Sequence, residues 1–280
     1  MHKIKYLILL ILGASVLCIA FTLVFALRDK KEKEPAYGSH EVLAQQENPV
    51  TSKAEISKSE EVVPSEEISQ NKEIFIVCLD PGHPSEVSDG KTVQNGVTEN
   101  EINWLIASEM KTILERNGIE IVMTKQEEDE YVTNAERAQI ANESGADLLF
   151  RIHCDTGPPA TRGMTFYYPD RQGTWNGHTG PPAHVISHSK EAATAIHKAV
   201  STELNGLLPD RGVKTDNDTN VGRQQGGALR ASILSRVPVV LVEVCFLSNP
   251  EDAAVVRNPE TRSKVAAALA NGIIKYLNSR

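Results

Sequence analysis

From Ile74 onward, short apolar runs alternate with stretches of helical periodicity, and this alternation limits the fold more than any other feature of the sequence. Five runs have the length and composition of strands, at residues 74–79, 119–123, 147–152, 163–168 and 239–244. Several of them are apolar on both faces, which is typical of buried strands in a parallel sheet. The pattern predicts a single α/β domain over residues 73–280.

Between these runs, apolar residues spaced three or four apart predict amphipathic helices. Their apolar faces hold Ile102, Leu105, Ile106, Ile113 and Leu114 in the first, Ala192, Ile196, Ala199, Val200 and Leu204 in the next, and Val265, Leu269, Ile273 and Leu277 in the last. The capping pairs are Thr98 with Glu101, Thr133 with Glu136, and Asn258 with Pro259. A glutamate in a capping box binds a free backbone amide, so Glu101 has a structural role. Glu99, at the first helical position, is left to face the end of a neighbouring strand.

The N-terminal part of the sequence has a different composition. Residues 6–27 carry no charge, and a helix of this length, at about 1.5 Å per residue, reaches roughly 33 Å, enough to cross a bilayer core. We expect residues 1–27 to form an uncleaved transmembrane anchor, with a cleaved signal peptide as the alternative. Residues 28–72 are rich in Glu, Lys, Ser and Gln, which predicts a flexible, disordered tether.

The charge balance excludes one class of function. The chain has 29 Lys and Arg residues against 37 Asp and Glu residues, which gives a formal net charge of −8. Nucleic-acid recognition depends on clustered Lys and Arg side chains, and the sequence has no basic stripe. We therefore expect no nucleic-acid partner.

Three polar residues lie at or near the ends of predicted strands, where parallel sheets present their functional loops. His83 follows the first strand, His153 follows the third, and Glu243 lies inside the last apolar run. An unpaired carboxylate buried there would cost several kcal/mol, so Glu243 needs a partner. Two imidazoles and one carboxylate also make the ligand set of a catalytic zinc site. The residues alone leave two alternatives open: a metallohydrolase, and a set of structural side chains in which Glu243 pairs with an arginine such as Arg230.

Four blocks of the sequence match a known family pattern. They are LDPGH at residues 79–83, ENEINWLIA at 99–107, ADLLFRIHCD at 146–155 and VPVVLVEVCFLSNPEDA at 237–253. In content and order these blocks resemble the zinc-dependent N-acetylmuramoyl-L-alanine amidases of bacterial cell-wall turnover, of the AmiC and CwlV type. The resemblance spans nearly all of residues 74–280.

The resemblance implies zinc ligands at His83, Glu99 and His153 and a catalytic carboxylate at Glu243. It also implies a twisted mixed sheet of about six strands flanked by helices. The expected reaction is hydrolysis, by zinc-activated water, of the amide bond between N-acetylmuramic acid and the L-alanine of the stem peptide, so peptidoglycan is the expected partner. We expect a single-pass bacterial membrane protein whose catalytic domain faces the cell wall, or a secreted one if the N-terminal segment is cleaved. The sequence identifies no protein activator.

Two further features surround the predicted site. We expect Asp80 or Asp155 to orient one of the imidazoles through a hydrogen bond to the ring nitrogen that does not bind the metal. Residues 169–187 are rich in Gly and Pro and include Trp175, which predicts an enlarged loop that contacts the substrate at the rim.

The sequence departs from the family pattern at Cys154 and Cys245, both near the predicted site. With Cys78 they make three cysteines in the globular part, an odd number for an exported domain. We expect buried free thiols, with a disulfide between Cys154 and Cys245 as the alternative.

Two rival functions fit the same residues. One is a peptidoglycan-binding module that has lost turnover, and the other is a zinc peptidase acting on stem peptides, because a fold does not fix a substrate. A third, a membrane-tethered interaction protein, would explain the anchor and the tether but not the buried Glu243.

Overall fold

A six-stranded mixed sheet with helices on both faces organises the part of the chain that the structure describes, residues 74–280 of a computed structural model. The expected anchor at residues 1–27 and tether at residues 28–72 lie outside the described residues. Among residues 74–280, no helix is both long enough and apolar enough to cross a bilayer.

The main elements follow one another as strands and helices with short connections. They are β1 (Ile76–Pro81), α1 (Glu99–Arg116), β2 (Glu120–Met123), α2 (Asn134–Glu143), β3 (Leu148–Asp155), β4 (Met164–Tyr168), β5 (Gly173–Trp175), β6 (His178–Gly180), α3 (Ala183–Leu204), β7 (Asp210–Thr215), α4 (Asn220–Gln224), α5 (Arg230–Leu234), β8 (Val239–Phe246), α6 (Pro250–Arg257) and α7 (Pro259–Leu277). A single 3₁₀ turn, Asp216–Asp218, joins β7 to α4.

The strand order in the large sheet is β2-β1-β3-β8-β4-β7, and β5 pairs with β6 in a separate two-stranded ribbon. All neighbouring pairs in the large sheet are parallel except β4 and β8, which are antiparallel. The expected α/β class and the mixed sheet of six strands are therefore confirmed. The carboxyl ends of β1, β3 and β8 lie side by side, and this edge is where an open α/β sheet presents a site.

The core lies on both faces of the sheet because successive side chains of a strand point to opposite sides. Val77 and Leu79 of β1 belong to the larger cluster, which α1, α3 and α7 cover. Cys78, between them, belongs to a smaller cluster with Ala141 of α2 and Leu149 of β3. Since the central strands are buried on both faces, they read as continuous apolar runs in the sequence.

Capping residues begin the helices at the predicted positions. Thr98 accepts a hydrogen bond from the amide of Glu101 at 3.3 Å, so α1 begins at Glu99. Around Thr133 the capping box is complete, with both reciprocal bonds to Glu136. The full box expected for Thr98 and Glu101 is only half formed, because Glu101 makes no return bond within the described residues. Asn258 caps α7 through the amides of its first turn.

Two differences from the expected strands bear on the site. β3 continues through His153 to Asp155, with a register irregularity after His153, so His153 lies inside the strand and not beyond its end. β7 was not expected from the sequence. It is an edge strand, and neither of its faces is fully buried. Its sequence, DRGVKT, therefore lacks the alternation of apolar and polar residues that would predict a strand.

Candidate metal centre

Three side chains predicted to bind a metal converge at the carboxyl end of the sheet. His83 lies in the loop after β1, Glu99 is the first residue of α1, and His153 lies near the end of β3. One ligand atom from each of these residues lies within 4.8 Å of the others. Parallel strands β1 and β3 bring the two histidines together, and the N-terminus of α1 brings the carboxylate.

His83 has a fixed tautomer. Its Nδ1 lies 3.1 Å from the carbonyl oxygen of Ser88, which can only accept, so Nδ1 carries the proton and donates. The other nitrogen, Nε2, lies 3.1 Å from Oε2 of Glu99. Burial alone would lower the pKa of His83, but the hydrogen bond and the charge of Glu99 outweigh it and raise the pKa above its ordinary value.

The carboxylate of Glu99 collects several contacts. Its Oε1 lies 3.1 Å from Nδ1 of His153 and accepts a hydrogen bond from the backbone amide of Cys154 at 3.2 Å. The amide nitrogen of Asn103, one turn further along α1, lies 3.5 Å from the same oxygen and donates to the carbonyl of Gly82 at 3.3 Å. Burial would raise the pKa of Glu99, but the two imidazoles outweigh it and hold the pKa well below its usual range. Glu99 is therefore an anion held between two imidazoles.

His153 fits closely against the backbone of the loop after β1. A Cβ atom on Gly82 would lie 2.2 to 2.5 Å from three atoms of the His153 ring, so only glycine leaves room for the imidazole. Its Nε2 atom is buried and has no hydrogen-bond partner among the described residues. Burial lowers the pKa of His153 to about 4, which keeps this imidazole neutral at neutral pH. A neutral imidazole is the form that binds a metal.

The donor chemistry of these three residues fits a divalent cation. In the neutral form of His83, Nδ1 carries the proton, so Nε2 presents a lone pair toward an oxygen of Glu99. Two acceptors at 3.1 Å repel each other unless a proton or a cation lies between them. Two imidazole nitrogens and one carboxylate, with room for further ligands, make a set that zinc accepts in catalytic sites.

Glu243 lies on β8 directly opposite His153 of β3 and opposite Thr165 of β4. Its Oε2 atom is buried and has no hydrogen-bond partner among residues 74–280. Burial and then the nearby carboxylates of Asp155 and Glu99 raise the pKa of Glu243 well above its ordinary value. The alternative pairing with Arg230 is wrong, because Arg230 forms its ion pair with Glu86. Glu243 is thus a carboxyl group that readily holds a proton.

An open pocket of about 560 Å³ brings these groups together. His83, Glu99, His153 and Glu243 all contribute to its lining. A second part of the lining comes from the 3₁₀ turn, α4 and the start of α5, with residues Asp218, Thr219, Asn220, Val221, Gln225, Leu229 and Arg230. A pocket of this size with a few convergent polar groups has the features of a binding site for part of a larger substrate.

The rim differs from the sequence-based expectation. No residue of the segment 169–187 lines the pocket; the segment forms the β5–β6 ribbon and then begins α3. Trp175 of the ribbon stacks under the guanidinium of Arg230 at 4.9 Å. The segment therefore contacts one residue of the pocket lining, Arg230, without lining the pocket itself. The sequence did not predict the lining residues of the 3₁₀ turn, α4 and α5, because these short helical segments have no strong periodicity.

Asp80 has a structural role that differs from the expected one. It accepts hydrogen bonds from Arg151 at 2.7 Å, Arg137 at 2.5 Å and the hydroxyl of Thr124 at 2.6 Å, and it contacts neither imidazole. Burial would raise the pKa of Asp80, but the two guanidinium groups hold it well below its usual range. The group that orients His83 is the carbonyl of Ser88, which a sequence pattern based on side chains could not identify.

The three described cysteines are free and buried. The sulfur atoms of Cys154 and Cys245 lie 3.9 Å apart, which is a contact and not a bond. The expectation of buried free thiols therefore agrees with the structure, and the disulfide alternative does not.

Comparison with known proteins gives one family. The sequence profile of Amidase_3, described as N-acetylmuramoyl-L-alanine amidase, matches residues 77–275. The chain is 29% identical over 227 residues to N-acetylmuramoyl-L-alanine amidase AmiA of Salmonella typhimurium, and the match covers 72% of this chain and 76% of that protein.

Solved structures give the same result. The catalytic domain of the N-acetylmuramoyl-L-alanine amidase CwlV from Bacillus (Paenibacillus) polymyxa var. colistinus has a TM-score of 0.59 and 25% identity, with 74% of this chain and 100% of that chain covered. The N-acetylmuramyl-L-alanine amidase Ami1 from Mycobacterium smegmatis has a TM-score of 0.57 and 27% identity, with 74% and 98% covered.

Proposed function

Since the chain belongs to the Amidase_3 family of N-acetylmuramoyl-L-alanine amidases, we propose that it hydrolyses peptidoglycan at the amide bond between N-acetylmuramic acid and the L-alanine of the stem peptide. In this proposal His83, Glu99 and His153 hold a zinc ion and Glu243 transfers protons. The observation that carries it is the convergence of three ligand atoms within 4.8 Å, with Glu243 opposite His153 in the sheet register.

The chemistry divides between the metal and the protein. When bound by these three residues, zinc would supply Lewis acidity, which lowers the pKa of water and polarises a carbonyl group. Glu99 is held as an anion by its neighbours, and His83 directs Nε2 inward because Nδ1 donates to Ser88. These two contacts orient the donors before any ligand arrives.

Glu243 is suited to take up and return a proton. As the general base it accepts a proton from the attacking water, and as the general acid it returns that proton to the nitrogen of L-alanine as the C–N bond breaks. Its raised pKa, caused by burial and by the neighbouring carboxylates, favours the protonated form after the first transfer. The orphaned Oε2 atom leaves one oxygen free of competing hydrogen bonds.

The location of the enzyme is part of the same proposal. The uncharged residues 6–27 and the polar residues 28–72 support a catalytic domain that is held at the bacterial membrane by a tether and acts on the wall. Cleavage after the apolar segment would release the same domain, and the size of the mature protein in membrane and medium fractions distinguishes the two cases.

The experiment is digestion of purified peptidoglycan by the full chain with and without added zinc. An amidase releases intact stem peptides with a free L-alanine amino group, which amino-group labelling and mass spectrometry detect. A zinc peptidase would instead release a C-terminal residue, and a wall-binding module would release nothing. Either of these results would overturn the proposal.

A further inference from the structure

Lys125 is a buried lysine just beyond β2, and it is 1% exposed. No carboxylate of residues 74–280 forms an ion pair with its ammonium group. A buried ammonium without a counterion is costly and is retained in a fold only when other contacts compensate for its lost hydration. Two of the contacts that compensate here adjoin the proposed metal ligands, and the ring of Trp104 lies 5.7 Å from the ammonium group.

The ammonium group of Lys125 uses all three of its donors. It donates to the backbone carbonyl of His83, to Oδ1 of Asn100 at 2.9 Å and to the backbone carbonyl of Glu128 at 2.8 Å. His83 is one of the proposed zinc ligands, and Asn100 directly follows another, Glu99. One buried cation therefore joins the backbone of the His83 loop to the first turn of α1.

The backbone at His83 needs such support. Its φ angle is 63°, in the left-handed region where residues other than glycine are strained. The loop then returns to the start of α1, where the carbonyl of Gly90 accepts a hydrogen bond from the amide of Asn100 at 3.0 Å. The strained residue and the first turn of α1 are thus held by two separate hydrogen bonds, and among residues 74–280 only Lys125 donates to the carbonyl of His83 itself.

We propose that Lys125 is a positioning residue for the metal centre: it ties the carbonyl of His83 to the first turn of α1 and so sets the separation between the imidazole of His83 and the carboxylate of Glu99 before a metal binds. This inference rests on the proposed function, in which those two side chains are metal ligands. Lys125 does not line the pocket, so it acts through the ligands and not on the substrate.

Arg137 is a neighbouring buried cation with a different role. It donates to the carbonyls of Pro81 and Pro84 on either side of the same loop. It also pairs with the buried Asp80, so its removal would leave a buried carboxylate with only part of its neutralising charge. Its loss would affect folding as a whole, whereas loss of Lys125 leaves no orphaned counterion and affects the metal centre selectively.

The test compares zinc affinity of the full chain with that of Lys125→Met, which removes the donors and keeps the aliphatic stem. Lys111→Met is the matched control, since Lys111 is an exposed lysine on α1 whose one ion pair within the described part of the chain is with Glu115. Competition with a chromophoric chelator measures the dissociation constant of zinc on the metal-free proteins. Outer contacts of metal ligands typically change affinity by about 10-fold to 100-fold, so Lys125→Met should bind zinc at least about tenfold more weakly. Lys111→Met should match the parent chain.

Kinetics separate positioning from general destabilisation. The KM for a soluble muropeptide should stay unchanged in Lys125→Met, and the cobalt-substituted variant should show an altered d–d absorption spectrum. If Lys125→Met does not fold, Lys125→Arg decides, because a planar guanidinium keeps the charge but cannot direct three donors as a tetrahedral ammonium does. It should bind zinc more weakly than the parent chain.

If the variant that folds binds zinc as tightly as the parent chain does, the inference is overturned, even if the melting temperature of that variant is lower. Failure of the parent chain to bind zinc would instead overturn the proposed function. The two failures are therefore distinguishable from the same titration.

Discussion

His153 and Glu243 lie directly opposite one another in the register of the neighbouring parallel strands β3 and β8. Hydrogen-bonded strands lie about 4.8 Å apart, so a proposed metal ligand and a proposed proton-transfer group share one edge of the pocket. The backbone ladder of two central strands sets this spacing. It does not depend on the conformation of a loop.

The first prediction follows from this arrangement. Glu243→Gln keeps the size of the side chain and one acceptor oxygen but cannot take up the proton, so it should lower kcat for amide hydrolysis. General acid–base catalysis contributes about 100-fold to 10,000-fold, and the loss should fall in that range. Zinc content, measured by mass spectrometry of the purified metalloprotein, should be unchanged because Glu243 is not one of the three proposed ligands.

Glu260→Gln is the control for the loss of a carboxylate. Glu260 is exposed on the first turn of α7 and pairs with Lys264, far along the chain from the pocket. It should retain full activity. Full activity of Glu243→Gln would remove Glu243 from the mechanism, and loss of zinc from that variant would show a ligand role instead.

The fold was largely predictable from the sequence because the central strands are buried on both faces and leave continuous apolar runs. The edge strand β7 was not, since DRGVKT satisfies its hydrogen bonds without burying a face. For the site, strand ends and free capping positions identified His83, His153 and Glu99 as candidates. The family resemblance, and not the pattern, assigned their roles and that of Glu243.

Contacts made through the backbone could not be predicted. The carbonyl of Ser88 fixes the tautomer of His83, and the backbone amide of Cys154 donates to Glu99. Every residue has a backbone carbonyl, and nearly every one has a backbone amide, so the sequence does not show which of them will make such contacts. Asn103 could have been found, because it lies four residues after Glu99 on α1 and so shares its helix face.

The second prediction concerns the close contact between Gly82 and His153. Gly82→Ala places a Cβ where the imidazole ring now lies, so the ring must move and one proposed ligand is lost from the cluster. Zinc affinity should fall at least about tenfold, as measured by chelator competition.

Gly145→Ala is the control, since a Cβ there meets nothing within 4 Å. It should cost about 1 to 2 kcal/mol of stability for its left-handed backbone and leave zinc affinity unchanged. Equal zinc affinity in the two variants would contradict the close packing.

The third prediction concerns the thiols of Cys78, Cys154 and Cys245. All three are buried, so a thiol reagent added to the native protein should leave them unmodified, and denaturation without reductant should expose them as free thiols. A variant with Cys18→Ser limits the count to these three. Its intact mass should match the fully reduced chain. A mass about 2 Da lower would mean that Cys154 and Cys245 are joined, which their 3.9 Å separation argues against.

The last prediction concerns Asp216, a buried acid in the 3₁₀ turn that contributes Asp218 to the pocket lining. It accepts a hydrogen bond from the amide of Leu229 at 3.0 Å and so joins the turn to the start of α5. Burial raises the pKa of Asp216 from 3.8 to about 6, against the weaker opposing effects of the Leu229 amide, the Ser232 hydroxyl and the charge of Arg151. Asp170 adds a further small increase.

The raised pKa sets the sign of the pH dependence. Below pH 3.8 the acid is protonated in both the folded and the unfolded chain, and it contributes its full stability. As the pH rises through 3.8 toward and past 6, the unfolded chain loses its proton first, so this contribution is lost, by about 3 kcal/mol in total for a shift of this size. Asp216→Asn keeps an acceptor for Leu229 and does not titrate. Urea unfolding should therefore show that the stability of Asp216→Asn relative to the parent chain increases by about 1 kcal/mol between pH 5 and pH 7.5. A constant difference across this range would mean that Asp216 is not a buried, titrating group.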